Sequence, residues 1–144
     1  KRKKTTKMKY KIVAKYIKNI NFNIPNSKSY FLIEKKISEY KINFDIKSKK
    51  IKDKILEIDT NLKLIPNKTD ENQIDVSVLF STVISFEKNI ENADELKKIV
   101  LVDVPSTIYP DLRGVLIFLF EKSGFKNINL DKNVNFKNLY EMQN

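Results

Sequence analysis

Period-two alternation of apolar and polar side chains, repeated in four separate stretches, constrains this chain more than any other feature, because it assigns each set of side chains to one face of an extended strand. In the first stretch Ile12, Ala14, Tyr16, Ile20 and Phe22 occupy even positions, and Asn23-Ile24-Pro25-Asn26-Ser27 ends it. The second sets Tyr40, Ile42, Phe44 and Ile46 against Lys41, Asn43 and Asp45. The third sets Leu56, Ile58, Leu62 and Leu64 against Glu57, Asp59, Asn61 and Lys63, with Lys47-Ser48-Lys49-Lys50 as the tight connection before it. Turn chemistry over residues 66–72 precedes the fourth, which carries Ile74, Val76, Val78, Phe80, Ile84 and Phe86 on one face. Such short polar links join antiparallel neighbours, since parallel strands need long crossovers, and the expectation is a four-stranded antiparallel meander. Residues 27–39 lack a clean period yet hold Tyr30, Phe31, Leu32, Ile33 and Ile37; they read as an apolar loop, folded against the core or facing a ligand.

Beyond the fourth strand the period changes. Asn92 followed by Glu95 resembles a capping box opening a short helix over residues 93–101, which Pro105 interrupts. Ser106 and Pro110 mark the start of a second helix, Asp111 suits its positive end, and Gly124 stands where a left-handed cap belongs. The run Val115-Leu116-Ile117-Phe118-Leu119-Phe120 is apolar on every side of that helix, more than one sheet face can cover. A second subunit is the economical cover, with Leu112, Val115, Leu116, Phe118 and Leu119 as interface candidates. A loop with Phe125, Ile128 and Leu130 leads to a last helix near Asn135, where Val134 and Leu139 are spaced as a hydrophobic staple and Phe136, Leu139 and Tyr140 form the stripe. The fold class is α+β: a four-stranded antiparallel sheet followed by helices packed on one side, oligomeric.

With 144 residues, 41% of them hydrophobic, the chain suits one domain, expected over residues 10–144. It has neither Cys nor His, which removes disulfides, thiolate nucleophiles, His-based triads and Cys/His zinc sites; its 2 glycines cannot supply a nucleotide-phosphate loop. No carboxylate pair stands in a recognisable motif, so neither an enzyme, a metal nor a cofactor is expected. The longest apolar run is far below the roughly 20 residues of a membrane span, and no signal-peptide core is visible near residues 12–14, so a cytoplasmic location without membrane insertion is expected. The net charge is +10, of which Lys1, Arg2, Lys3, Lys4, Lys7 and Lys9 form a basic tail, expected to be disordered. Only Arg2 and Arg113 are arginines, which disfavours specific nucleic-acid readout.

Three blocks carry a family resemblance. Tyr16-Ile17-Lys18-Asn19-Ile20-Asn21-Phe22-Asn23-Ile24-Pro25-Asn26 is similar to the opening Y-x-K-D-I-S-F-E-x-P-N of the bacterial SecB export chaperones. Val104-Pro105-Ser106-Thr107-Ile108-Tyr109-Pro110-Asp111-Leu112-Arg113 resembles their C-P-x-x-L-F-P-x-A-R, and Gly124-Phe125, Asn129-Leu130-Asp131 and Val134-Asn135-Phe136-Lys137-Asn138-Leu139-Tyr140 follow their ending.

The resemblance implies a homotetramer, a dimer of dimers, that binds unfolded preproteins without ATP and passes them to the motor SecA. It makes Tyr30, Phe31, Leu32, Ile33, Ile37, Phe125, Ile128, Leu130, Phe136, Leu139 and Tyr140 candidates for the client groove. It also implies an acidic SecA contact, whose positions here are Asn19, Asn23 and Ser77, with Asp75 beside them. Alternative readings are a chaperone dedicated to one partner, such as a toxin–antitoxin system, and a basic RNA- or ribosome-associated module.

Overall fold

The computed structural model describes residues 9–126 and 128–143, so the basic tail, Lys9 excepted, lies outside the described residues. Four strands, β1 (Tyr10–Asn23), β2 (Tyr40–Lys52), β3 (Ile55–Pro66) and β4 (Asp75–Phe86), form one antiparallel sheet in the order β1-β4-β3-β2. Only β2, β3 and β4 are a meander; β1 pairs with β4, so the connection after β1 crosses to the opposite edge in the manner of a Greek key. The expected four-strand meander is corrected there, because a strand's partner is decided by tertiary packing that local alternation does not encode.

The tight link also moves. Residues 47–50 stay inside β2, opposite Leu56, Glu57, Ile58 and Asp59, and the turn falls at Asp53 and Lys54, where Lys54 has a φ of 63°. In β1 the pairing register shifts between Ile12 and Ala14 and again between Ile17 and Asn19. Directly opposed residues share a face, so Ile12, Ile20 and Phe22, opposite buried Ile84, Val78 and Val76, point inward. Between the shifts the parity reverses: Tyr16 pairs with Ser81 on the outer face and Ile17 with Phe80 on the inner one. The uniform even-position face expected for β1 is thus split by two bulges.

Residues 27–39 are not a loop. They form α1 (Ser27–Lys36) and a 3-10 turn (Ile37–Glu39). The side chain of Asn26 caps α1 by accepting from the Ser29 N–H at 2.9 Å.

Nor does Pro105 break the chain's helical path. α2 (Ala93–Lys98), capped by Asn92 as expected, runs through a π turn (Ile99–Asp103) into α3 (Val104–Lys122), with Pro105 in its first turn and Pro110 inside it. A wider turn tolerates the missing proline N–H, and the hydroxyls of Ser106 and Thr107 donate to the carbonyls of Val102 and Asp103 at 2.6 and 3.0 Å. α3 ends at Gly124, whose φ of 98° is the expected left-handed cap. α4 (Phe136–Gln143) is capped by Asn135, which accepts from Asn138 N–H at 2.9 Å.

The helices cover one sheet face. Leu62, Leu64, Val76, Val78 and Phe80 pack there against Ile108, Leu112, Leu116 and Phe120, and the C-terminal segment adds Phe125, Leu130 and Phe136. A second cluster at the start of β1 joins Tyr10, Ile58 and Ile84 to Ile99, Val100 and Val104. Burial raises the Tyr10 pKa, and the charge of Asp103 adds to the effect.

Candidate functional site

The sheet positions a trough along the inner side of β2, with apolar side chains on its floor and polar ones at its rim. As an edge strand, β2 has β3 on one side only, so Ile42, Phe44 and Ile46, paired inward with Leu64, Leu62 and Thr60, stay half-buried. The opposite wall is the C-terminal segment with α4. Two cavities of about 540 and 180 Å³ share Ile42, Phe44 and Leu139 and so form one depression. A third, of about 420 Å³, meets it at Tyr40 and lies between α1 and the turn from β3 to β4. Tyr40 is fixed at this junction because its hydroxyl accepts from the Ile74 N–H at 3.0 Å.

Aromatic rings stiffen the walls. Phe44 and Phe136 meet edge to face at 4.8 Å, and Tyr109 stands 6.0 Å from the first and 6.2 Å from the second. The Tyr109 hydroxyl donates to the Asp131 carbonyl at 2.5 Å, and Arg113 donates to the Leu130 carbonyl at 3.2 Å, which binds the C-terminal segment to α3. Burial raises the Tyr109 pKa above its ordinary value.

At the α1 end, Tyr30 lies over Phe125 with ring centres 4.7 Å apart and donates to the Gly124 carbonyl at 3.1 Å. Glycine is required at 124 by its φ of 98°, and a Cβ there would stand 2.6 Å from the Tyr30 hydroxyl and displace it.

The sequence-derived groove residues separate by burial. Phe31 is 68% and Leu139 38% exposed; Tyr30, Leu32, Ile37, Ile128 and Tyr140 are half-buried. Ile33, Leu130 and Phe136 are buried and reach the cavities only as floor, while Phe125 is buried beneath Tyr30. Sequence reasoning read Ile42, Phe44 and Ile46 only as the apolar face of the second strand and did not include them among the groove residues. The available signal was that strand's own character: the polar partners Lys41, Asn43, Lys47 and Lys49 suit a strand at the sheet's rim.

The interface candidates also divide. Leu112 and Leu116 are completely buried within the subunit, so the expectation that they meet a partner is corrected: β4 and the C-terminal segment cover that side of α3. Phe118 is 57% exposed, with Val115 and Leu119 half-buried beside the core.

The positions at which the family resemblance implies a SecA contact lie on the β1–β4 pair, with Asn19 opposite Leu79, Asn23 opposite Asp75, and Ser77 opposite Asn21. The Asp75 carboxylate accepts from the Asn21 amide at 2.9 Å. Nearby on the outer face, Tyr16 donates to Glu57 at 2.7 Å, Lys18 bridges Glu57 and Asp59 at 3.3 and 3.0 Å, and Ser81 donates to Asp59. The Tyr16 hydrogen bond, reinforced by Lys18, lowers the Glu57 pKa, and the bonds to Asp59 and Glu57 raise that of Lys18. Among the described residues, no group of three or more His, Cys, Asp or Glu side chains could hold a metal, and no helix is long and apolar enough to cross a membrane.

Comparison with known proteins agrees with this architecture. The model of the family described as preprotein translocase subunit SecB matches residues 3–144. A putative protein-export protein SecB from Pelagibacter ubique is 31% identical over 134 residues, covering 93% of this chain and 96% of the relative. A protein-export protein SecB from Paraburkholderia phymatum is 25% identical, covering 89% and 80%. Among solved structures, a SecB-like chaperone of Mycobacterium tuberculosis, in complex with an antitoxin peptide, superposes with a TM-score of 0.63 at 10% identity over 85% of this chain and 90% of that one. A Streptococcus agalactiae protein of unknown function gives 0.56 at 11% identity, over 88% and 99%. With its sequence matched from residue 3 to residue 144 and its sheet and helices shared with SecB-like structures, the chain belongs to the SecB family, a family of chaperones and not of enzymes.

Proposed function

We propose that the protein is an ATP-independent holdase that takes extended, unfolded preprotein segments into the β2 trough and keeps them competent for export from the cytoplasm. One observation carries this reading: the depression that continues from α1 past Tyr40 to Leu139 along the inner side of an edge strand, with Ile33, Ile42, Phe44 and Leu139 apolar within a polar rim. Half-buried apolar walls suit many side chains, and the free edge of β2 can hydrogen-bond an extended backbone regardless of its sequence. Burying ~1,000 Å² of client surface at about 25 cal/mol per Å² has a gross value near ~25 kcal/mol, most of it offset by ordering the client. Binding is then moderate and tolerant of sequence, as a holdase acting by mass action requires.

Leu139 tests the reading because it lines both cavities along β2 and its exposure makes it replaceable without opening the core. Leu139→Ser should weaken capture of a reduced, unfolded test protein by about ten-fold while the melting temperature holds, since it loses roughly 1–2 kcal/mol of apolar contact. Undiminished suppression of aggregation by this variant would remove the trough from the account. Capture of a single dominant polypeptide, and of no other, would replace the general holdase by the dedicated chaperone.

Handover to SecA is expected to be poor. Asn19 and Asn23 stand where the resemblance calls for acidic groups, and Asp75 is engaged by Asn21. Submicromolar binding of a SecA zinc-tail peptide in calorimetry would contradict this.

A further inference from the structure

The net charge of this protein is concentrated in two segments. Residues 1–9 hold six basic and no acidic side chains, and residues 47–54 hold Lys47, Lys49, Lys50, Lys52 and Lys54 against Asp53 alone; the remainder balances at 17 basic and 17 acidic. Topology puts Lys9 and residues 47–54 at one end of the sheet. Tyr10 at the start of β1 pairs with Phe86, Ile55 at the start of β3 pairs with Ser85, and Lys52 near the end of β2 pairs with Ile55. Lys9 and Lys54 line the same cavity. Residues 87–98 add Lys88, Lys97 and Lys98 against Glu87, Glu91, Asp94 and Glu95, with Lys9 bonded to Glu95, so the excess at this end persists. α1 and its cavity lie at the opposite end, where β1 finishes and β2 begins.

The hairpin is amphipathic as well as basic. The register shift between Lys50 and Lys52 leaves Ile51 unpaired and 49% exposed among lysines. Behind it Lys50, Lys52 and Lys54 rim a cavity of about 330 Å³ whose apolar side is Leu56, Phe86 and Ile90.

We propose that this end of the sheet docks peripherally on an anionic lipid bilayer, with the lysines on headgroup phosphates and Ile51 at the acyl boundary. Charge complementarity sets the partner's sign, and the apolar features select lipid over a polynucleotide. Lysine is a point charge that needs no fixed geometry at a phosphate, and each one near an anionic surface contributes about five-fold in affinity. Nucleic-acid readers add arginine for base edges or aromatic platforms for stacking, and residues 47–54 contain neither. The proposal is independent of the client trough, which uses other residues.

Co-sedimentation of the full chain with vesicles tests it. Binding is expected to phosphatidylglycerol–phosphatidylcholine vesicles and not to phosphatidylcholine alone, at about 0.1 M salt where charges still act over ~10 Å. K49Q/K50Q/K52Q, at exposed strand positions, should weaken binding roughly 100-fold. Ile51→Ser should remove what binding survives at about 1 M salt, where charge is screened. A chain lacking residues 1–8 should still respond to the three lysines. Equal partitioning of the unsubstituted protein to both vesicles would overturn the proposal without any variant. So would parent-like binding by the triple variant, or a stronger preference for polyuridylate than for the vesicles at equal phosphate concentration.

Discussion

Thr60 and Thr82 lie on the inner face of neighbouring strands, paired with Phe80 and Ile58, and both are fully buried. Neither hydroxyl finds a hydrogen-bond partner among the described residues. A buried polar group left in this state costs about 1–3 kcal/mol. Thr60→Val keeps the shape and removes the hydroxyl, so it should raise unfolding stability by about 1 kcal/mol, seen as a higher denaturant midpoint at unchanged slope. A lower midpoint would show that the hydroxyl is satisfied. At this scale the sequence is silent, since a threonine at an inward strand position reads like any β-branched residue. Burial along α1 was equally hidden: Tyr30, Phe31, Leu32 and Ile33 are four consecutive apolar residues with no period to say that Ile33 points inward and Phe31 outward.

β1 is a long edge strand whose outer face is tied to the sheet by polar contacts: Tyr16 and Lys18 reach Glu57, Lys18 also reaches Asp59, and Asp59 accepts from Ser81. Because the folded Glu57 pKa lies below its ordinary 4.5, its contribution is fully present above that value and is lost as pH falls through the lower folded one. Lys18 is shifted upward from 10.5, so its part is lost only in strong alkali and does not affect the acid limb. Melting temperature should therefore fall below pH 4.5, and Glu57→Gln should flatten that fall at a cost of less than ~1 kcal/mol at neutral pH. Parallel acid limbs in the two proteins would show that Glu57 does not carry the effect. The existence and facing of β2, β3 and β4 were legible because alternation is local. The place of β1 at the far edge and its two bulges were not, because both depend on a partner more than fifty residues away. α1 left one readable sign, the Asn26 cap, and the passage through Pro105 was masked by hydroxyls at Ser106 and Thr107 that stand in for the missing helical order.

Across the whole molecule, family and fold class were readable while the covering of α3 was not. The apolar run 115–120 suggested a neighbour on every side, yet Leu116 and Phe120 are enclosed within the subunit by the sheet and the C-terminal segment, and Phe118 remains outside. That leaves a narrower case for self-association, resting on Phe118 together with Tyr16, Ile17 and Ile20 exposed on edge strand β1. Phe118→Asp should lower the mass found by light scattering from that of an assembly to that of a smaller unit, and an unchanged mass would exclude α3 from the contact. The position of β2 has a consequence of its own. A depression bounded by the rim of a sheet is open along its length, so a polypeptide can settle into it sideways from any point and leave the same way. Nothing has to be threaded, and a guest with folded domains at both ends is as admissible as a free tail. For a client held there as proposed, loading and release need no door and no fuel, only a competitor downstream with the stronger grip.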